Sequence, residues 1–224
     1  MQEIAVADAG APVHRRVQSR SEWRADALVH VVGVTLGIAA CIALALVALP
    51  DADLAVRVSL AVYGAGLLAM LGCSAVYNIR AHGPARNFWR RLDHAAIFVM
   101  IGGTYTPFAA IALGGAWGAG LLIFVWTVAA AGVVVKLLHP GRLETLSIAT
   151  YLLLGWIILI AIDRLIAAVS PPALVLLVAG GILYSIGVLF HLWDRLPYNR
   201  AVWHGFVLIA AACHYVSVLD VVTG

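Results

Sequence analysis

Residues 117–138 read WGAGLLIFVWTVAAAGVVVKLL, 22 residues whose one charge is Lys136, close to the end. A helix that crosses the hydrocarbon core of a bilayer needs about 20 mostly apolar residues. A helix on a soluble protein is apolar along one stripe, whereas this stretch is apolar all round. Six other stretches read the same way: 27–49, 54–77, 92–113, 143–162, 173–193 and 201–222. The stretch 92–113 contains Asp93, Gly102, Gly103 and Pro107. Membrane helices tolerate such residues where neighbours satisfy the backbone. The expected fold class is all-α: an integral membrane bundle of seven transmembrane helices.

The breaks between these stretches are polar or turn-forming. Pro50-Asp51-Ala52-Asp53 closes the first span, and Ile79 to Arg91 separates the second from the third. Gly114-Gly115 and His139-Pro140-Gly141-Arg142 make the next two turns. Asp163-Arg164 and Pro171-Pro172 bound the fifth connection, and Asp194 to Arg200 forms the sixth. Residues 1–20 are polar and read as a disordered cytoplasmic tail, followed by one membrane domain over 21–224. The tail lacks the apolar core and cleavage site of a signal peptide.

Composition agrees with this reading. The 224 residues are 63% hydrophobic and 11% charged, with mean hydropathy +1.00. Soluble domains have about 45–50% apolar and about 25% charged residues. An ordinary cytosolic enzyme, a disordered chain and a nucleic-acid binder are excluded. Cys41, Cys73 and Cys213 all lie in apolar stretches, without the spacing of a disulfide framework or a cysteine zinc site.

Seven spans place the two termini on opposite sides of the membrane. With the N-terminus inside, the inner segments hold Arg15, Arg16, Arg20, Arg24, Arg80, Arg86, Arg90, Arg91, Lys136, Arg142, Arg195 and Arg200, and the outer segments hold Arg57 and Arg164. Twelve against two is a strong positive-inside bias. It predicts a cytoplasmic N-terminus, an outer C-terminus and a multi-pass protein of the inner (plasma) membrane. Trp23, Trp89, Trp117, Trp193 and Trp203 fall near span ends, as interfacial anchors do.

Ionisable residues inside spans cost a few kcal/mol each on insertion scales, so each asks for a reason. Glu22, Asp26 and His30 recur every four residues and share one helix face. Ser74 and Asn78 are four apart at the inner end of the second span. Asp93 opens the third span, Arg200 and His204 open the seventh, and His191 and Asp194 end the sixth. His214 lies about three turns beyond His204. Each has a plainer reading: a helix cap for Glu22, a dipole-favoured helix start for Asp93, a snorkelling side chain for Arg200. Five spans nonetheless bring such residues to the same inner half, which predicts one polar cluster opening to the cytoplasm.

The residues also resemble a known family. Arg91-Leu92-Asp93-His94-Ala95-Ala96-Ile97, followed by Gly103-Thr104-Tyr105-Thr106-Pro107-Phe108, looks like the signature of hemolysin III proteins. These are bacterial relatives of the progestin and adipoQ receptors and, more distantly, of alkaline ceramidases. Glu22, Asp26, His30 and Gly33 resemble the family's opening pattern, with Asp for Asn. Ser74-Ala75-Val76-Tyr77 and Trp203-His204-Gly205-Phe206-Val207, then His214, resemble its second-span and last-span patterns.

The resemblance implies a zinc ion held by one histidine of the second span and two of the seventh, near a serine and an aspartate. It places Ser74, Asp93 and His204 as the candidate catalytic residues. Glu22, Asp26, His30, Asn78, Arg200 and His214 are the candidate polar or ligand-binding residues. Two of the three ligand positions are changed here: Asn78 and Arg200 stand where histidines are expected, leaving His204. Asn is a poor zinc ligand and Arg has no lone pair to give. The three-histidine site is therefore not expected. Zinc enters only if other histidines, among them His30, His82, His94 and His191, rebuild a site. Without one, Arg200 is expected to pair with Asp93 or Glu22, or to bind a lipid phosphate.

Three functions follow. The first is a non-catalytic protein that binds or senses membrane lipids and contributes to lipid homeostasis. The second is a membrane hydrolase of a lipid amide or ester, with Asp93 as general base, Ser74 stabilising the oxyanion and His204 binding metal or moving a proton. The third, a pore-forming cytolysin, is what the family's name evokes, but no amphipathic strand pattern or charge-lined span supports it. Membrane lipids are the expected partners, and a protein partner is left open.

Overall fold

Ser19 and Glu22 start the fold with a reciprocal cap. The Glu22 amide donates to Ser19 Oγ (3.2 Å), and the Ser19 amide donates to Glu22 Oε2 (2.7 Å). Two of the amides that a helix N-terminus leaves unpaired are thereby satisfied. The computed structural model describes residues 18–50, 52–81, 83, 85–139 and 143–224. Residues 1–17 of the expected tail, Asp51, His82 and Arg142 lie outside the described residues.

Seven helices are long and apolar enough to cross a membrane: α1 (Arg20–Ala48), α2 (Leu54–Arg80), α3 (Ala85–Leu113), α4 (Gly115–Leu138), α5 (Glu144–Ala168), α6 (Pro171–Leu192) and α7 (Asn199–Thr223). No strand occurs among the described residues. The all-helical class and the seven spans are those expected from hydropathy.

The ends differ, because hydropathy marks the apolar core of a helix and not its polar continuation. α1 begins at Arg20, not near residue 27, so Glu22 and Asp26 are helical. α2 reaches Arg80 and α3 starts at Ala85, so most of the expected 79–91 connection is helix. Asp163 and Arg164, expected in a connection, lie in the last turns of α5. There the Arg164 guanidinium sits 4.9 Å over the ring of Trp117, a cation–π contact.

The order around the bundle follows from the neighbours. α1 packs between α2 and α7, α2 on α3, α6 on α7, and α4 on the outside of α3. α5 closes the ring with sparse contacts to α3 and α6. Outward-facing leucines and isoleucines such as Leu46 (72% exposed), Ile123 (69%) and Leu153 (73%) leave an apolar exterior. A surface of that kind is stable against lipid and not against water.

Glycines set the α2–α3 distance. A Cβ on Gly66 would lie 3.2 Å from the Val99 carbonyl oxygen and 3.3 Å from Met100 Cα. A Cβ on Gly103 would lie 3.2 Å from the Val62 oxygen and 3.5 Å from Tyr63 Cα. Each helix thus offers a glycine to the other's backbone, the close approach that small residues permit in membranes.

α5 is broken in the middle by a 3-10 segment, Ile157–Ala161. The Tyr105 hydroxyl of α3 fills the break. It donates to the Leu154 carbonyl (2.7 Å) and accepts from the Ile158 amide (3.0 Å). The Leu154 carbonyl also accepts from the Ile157 amide, so the hydroxyl is a second partner that ties α3 to the break.

Replacing Gly66 or Gly103 by Val is expected to force α2 and α3 apart and destabilise the bundle by about 1–3 kcal/mol. Thermal unfolding of the detergent-solubilised variants, followed by gel filtration, measures this. Substituting Gly120, beside which a Cβ meets nothing within 4 Å, is the neutral control.

Candidate functional site

The polar face of α1 turns into the bundle: Glu22 is 3% exposed, Asp26 2% and His30 6%. The three do different things. Glu22 is structural. Beside its cap, Glu22 Oε1 accepts from the Tyr198 amide (2.9 Å), across to the segment that opens α7. Tyr198 has φ of +59° without being glycine, a left-handed conformation that needs outside support. The Glu22 carboxylate supplies that support, and so fixes where α7 begins and which way Arg200 and His204 face.

Asp26 meets His204. Asp26 Oδ1 and His204 Nδ1 are 2.6 Å apart, a short charge-assisted hydrogen bond between α1 and α7. His30, one turn along α1, puts its ring 4.3 Å from the His204 ring. His30 Nε2 lies 3.8 Å from Asp26 Oδ1, too far for a hydrogen bond, and has no hydrogen-bond partner. The ligand atoms of Asp26, His30 and His204 all lie within 4.8 Å of one another, a group that can hold a metal ion.

A cavity of about 460 Å³ adjoins this group. Ser74, Asn78, Asp93, Arg200 and His204 line its polar end, at the ends of α2, α3 and α7. The Asp93 carboxylate feels the Ser74 hydroxyl and the charges of His204 and Asp26. Asn78 donates its amide back to the Ser74 carbonyl (3.0 Å) and hydroxyl (3.4 Å). It sits in a π-helical turn, Val76–Arg80, a distortion that frequently marks functional sites. Leu165, Leu174 and Leu177 line the far, apolar end.

The structure thus brings the cluster expected from the spacing to one end of the bundle, with two differences. Arg200 forms no salt bridge with Asp93 or Glu22 among the described residues; Asp26 and His204 make the α1–α7 pair instead. His214 lies at the far end of the same cavity, away from the polar group. Its Nε2 is 3.1 Å from the Leu177 carbonyl and its ring meets Tyr184 edge-on, tying α7 to α6. Gly180 leaves the room that this ring occupies.

One group was not foreseen. Lys136, 2% exposed, donates to Glu144 Oε2 (3.2 Å), and His94 Nδ1 is 3.6 Å from the same oxygen. The Tyr151 hydroxyl donates to the His94 carbonyl (2.9 Å). His94 and Glu144 both line the cavity. The signal available in the sequence was a lysine near the end of α4 and a glutamate just past the turn.

The comparisons with known proteins agree with this architecture. A family model described as "Haemolysin-III related" matches residues 21–215. The chain is 37% identical over 205 residues to "Hemolysin-3" of Bacillus cereus, covering 92% of this chain and 94% of that one. The chain belongs to the hemolysin III family. It is also 37% identical over 195 residues to "Hemolysin-3 homolog" of Bacillus subtilis (strain 168), covering 87% of this chain and 92% of that one. With "Monocyte to macrophage differentiation factor" of Homo sapiens it shares 27% identity over 163 residues, 70% of this chain and 67% of that one.

The zinc that the hemolysin III resemblance implies does not fit the α2–α7 positions here. Asn78 has turned its amide nitrogen onto Ser74, and Arg200 brings a permanent cation to the cavity wall.

Glu22→Ala is expected to lower stability by about 1–3 kcal/mol, since it strips a partner from the Ser19 and Tyr198 amides together. Thermal unfolding checks the size. Ser19→Ala, which removes the cap hydroxyl but leaves the Tyr198 contact, should cost less.

Proposed function

We propose that this hemolysin III protein binds an amphipathic membrane lipid in the cavity and thereby senses or adjusts membrane lipid composition. The single observation that carries the reading is the cavity's two-ended chemistry. Ser74, Asn78, Asp93 and Arg200 meet a headgroup, and Leu165, Leu174 and Leu177 meet an acyl chain. Ligand sites of this size are mostly apolar with a few placed polar groups. α5, the most loosely packed wall, is the side from which a lipid enters. The positive-inside bias supports a cytoplasmic polar end and a plasma-membrane location.

Hydrolysis of a lipid amide or ester is the second reading, favoured by one observation: Ser74, Asp93 and His204 converge. In that reading water adds to the carbonyl carbon as Asp93 takes its proton. The Ser74 hydroxyl donates to the developing oxyanion, and the proton passes to the departing amine or alcohol. The cytolytic property in the name of the Bacillus cereus relative has no counterpart in this geometry and is not carried over.

Lipid extracted from protein purified in mild detergent, and identified by mass spectrometry, tests the first reading. Native protein should carry a defined lipid, and Leu177→Trp, which fills the apolar end, should reduce it by about tenfold or more. Equal lipid in both would overturn lipid binding in this cavity. Loss of lipid turnover in Asp93→Asn, with binding retained, would favour the hydrolase.

A further inference from the structure

We propose a divalent transition-metal site between α1 and α7, formed by Asp26, His30 and His204. It shares His204 with the α2–α7 positions but takes its other two ligands from α1 in place of Asn78 and Arg200, and it does not depend on lipid in the cavity.

The donors are suited to such an ion. Two imidazoles and one carboxylate are a recurrent set for catalytic zinc and for other first-row divalent ions. The three ligand atoms already lie within 4.8 Å of one another. Around zinc, bonds of about 2.0–2.2 Å set neighbouring tetrahedral ligands at ~3.3 Å. Asp26 Oδ1 and His30 Nε2, at 3.8 Å, need only draw slightly closer. Asp26 Oδ1 and His204 Nδ1, at 2.6 Å, need to part slightly, since the proton they share leaves when a metal binds.

His30 gives the independent reason. Its side chain is 5% exposed, and its Nε2 has no hydrogen-bond partner while lying beside a carboxylate and a second imidazole. A buried ring nitrogen without a partner is costly, and a metal ion satisfies it directly. Helix geometry explains why the nitrogen is there: Asp26 and His30 are four apart on one face of α1. His204 is held opposite by the Glu22 contact that fixes the start of α7.

Charge favours the same assignment. Asp93 feels the charge of Asp26, and a dication beside Asp26 offsets that repulsion. Arg200, one turn before His204 and lining the same cavity, opposes it. Arg200→Gln should therefore tighten metal binding. His30 and His204 both face the cavity, so a position opposite Asp26 is open to water or to a ligand's polar head.

The full-length protein in detergent, stripped with chelator and reloaded with zinc alone, supplies the test. Metal content by mass spectrometry should reach about one ion per chain, and cobalt in its place should give the absorption of a low-coordinate N/O site. His30→Gln removes an Nε2 that makes no hydrogen bond, and Asp26→Asn keeps an oxygen that accepts from His204 Nδ1, so neither variant strips a hydrogen bond between α1 and α7. Each should weaken zinc binding by at least about tenfold. Asn78→Ala should leave the metal content unchanged, and zinc should raise the melting temperature of the native chain but not of His30→Gln. Absence of stoichiometric zinc from the native protein would overturn the proposal, and so would zinc retained in both His30→Gln and Asp26→Asn. Zinc lost from Asn78→Ala and kept in His30→Gln would place the ion at α2 instead.

Discussion

Asp26 and His204 meet 2.6 Å apart in the interior of a bundle whose outside is made for lipid. Water cannot repair a broken polar contact there, so every buried charge needs a partner from another helix. Removing one member of such a buried pair costs about 3–5 kcal/mol, which far exceeds a surface ion pair. The same rule organises the rest of the polar end. Glu22 takes amides from two segments, and Glu144 takes Lys136 and His94. Asn78 turns to Ser74, and Arg91 donates to the Leu137 carbonyl. The polar residues at the ends of the spans are thus the joints of the bundle as well as the walls of its cavity.

The amount of this legible in the sequence depended on range. Spans were legible because apolar length is a local property, and α1–α7 all appear where hydropathy put them. The shared face of Glu22, Asp26 and His30 was legible because i, i+4 spacing is also local. Helix ends were not, since the residues that carry α1 back to Arg20 and α5 on to Ala168 are polar. The partner of each charge was the least legible. Arg200 and Asp93 were natural partners by position, yet Asp26 reaches His204, 178 residues away. That choice depends on how α7 is rotated, which the left-handed Tyr198 and its bond to Glu22 decide.

Two of the α5 contacts illustrate the same limit. Nothing in Gly155-Trp156-Ile157-Ile158 announces a broken helix. The break is stable because Tyr105, about fifty residues earlier, brings one hydroxyl that both donates and accepts. Lys136 near the end of an apolar run reads as one more inner-side positive charge, and becomes a buried partner only because α5 brings Glu144 beneath it.

The distribution of packing bears on function more than any single residue does. α1, α2, α3, α6 and α7 are fastened by close helix faces, glycine contacts and side-chain hydroxyls that donate to a neighbouring helix's backbone, such as Tyr215 to the Ala40 carbonyl and Ser217 to the Ala173 carbonyl. α5 is fastened by a few polar points: Glu144 at one end, Tyr151 and Tyr105 near the middle, and the Trp156 indole on Ser185 of α6. Sparse apolar packing with discrete polar ties is the pattern of an element that opens locally at low cost. A cavity bounded on most sides by a tight frame and on one side by such an element holds its polar group in register while its apolar wall yields. The rigid part carries Asp26, His30, Ser74, Asp93 and His204. The compliant part borders the apolar end of the cavity, lined by Leu165, Leu174 and Leu177.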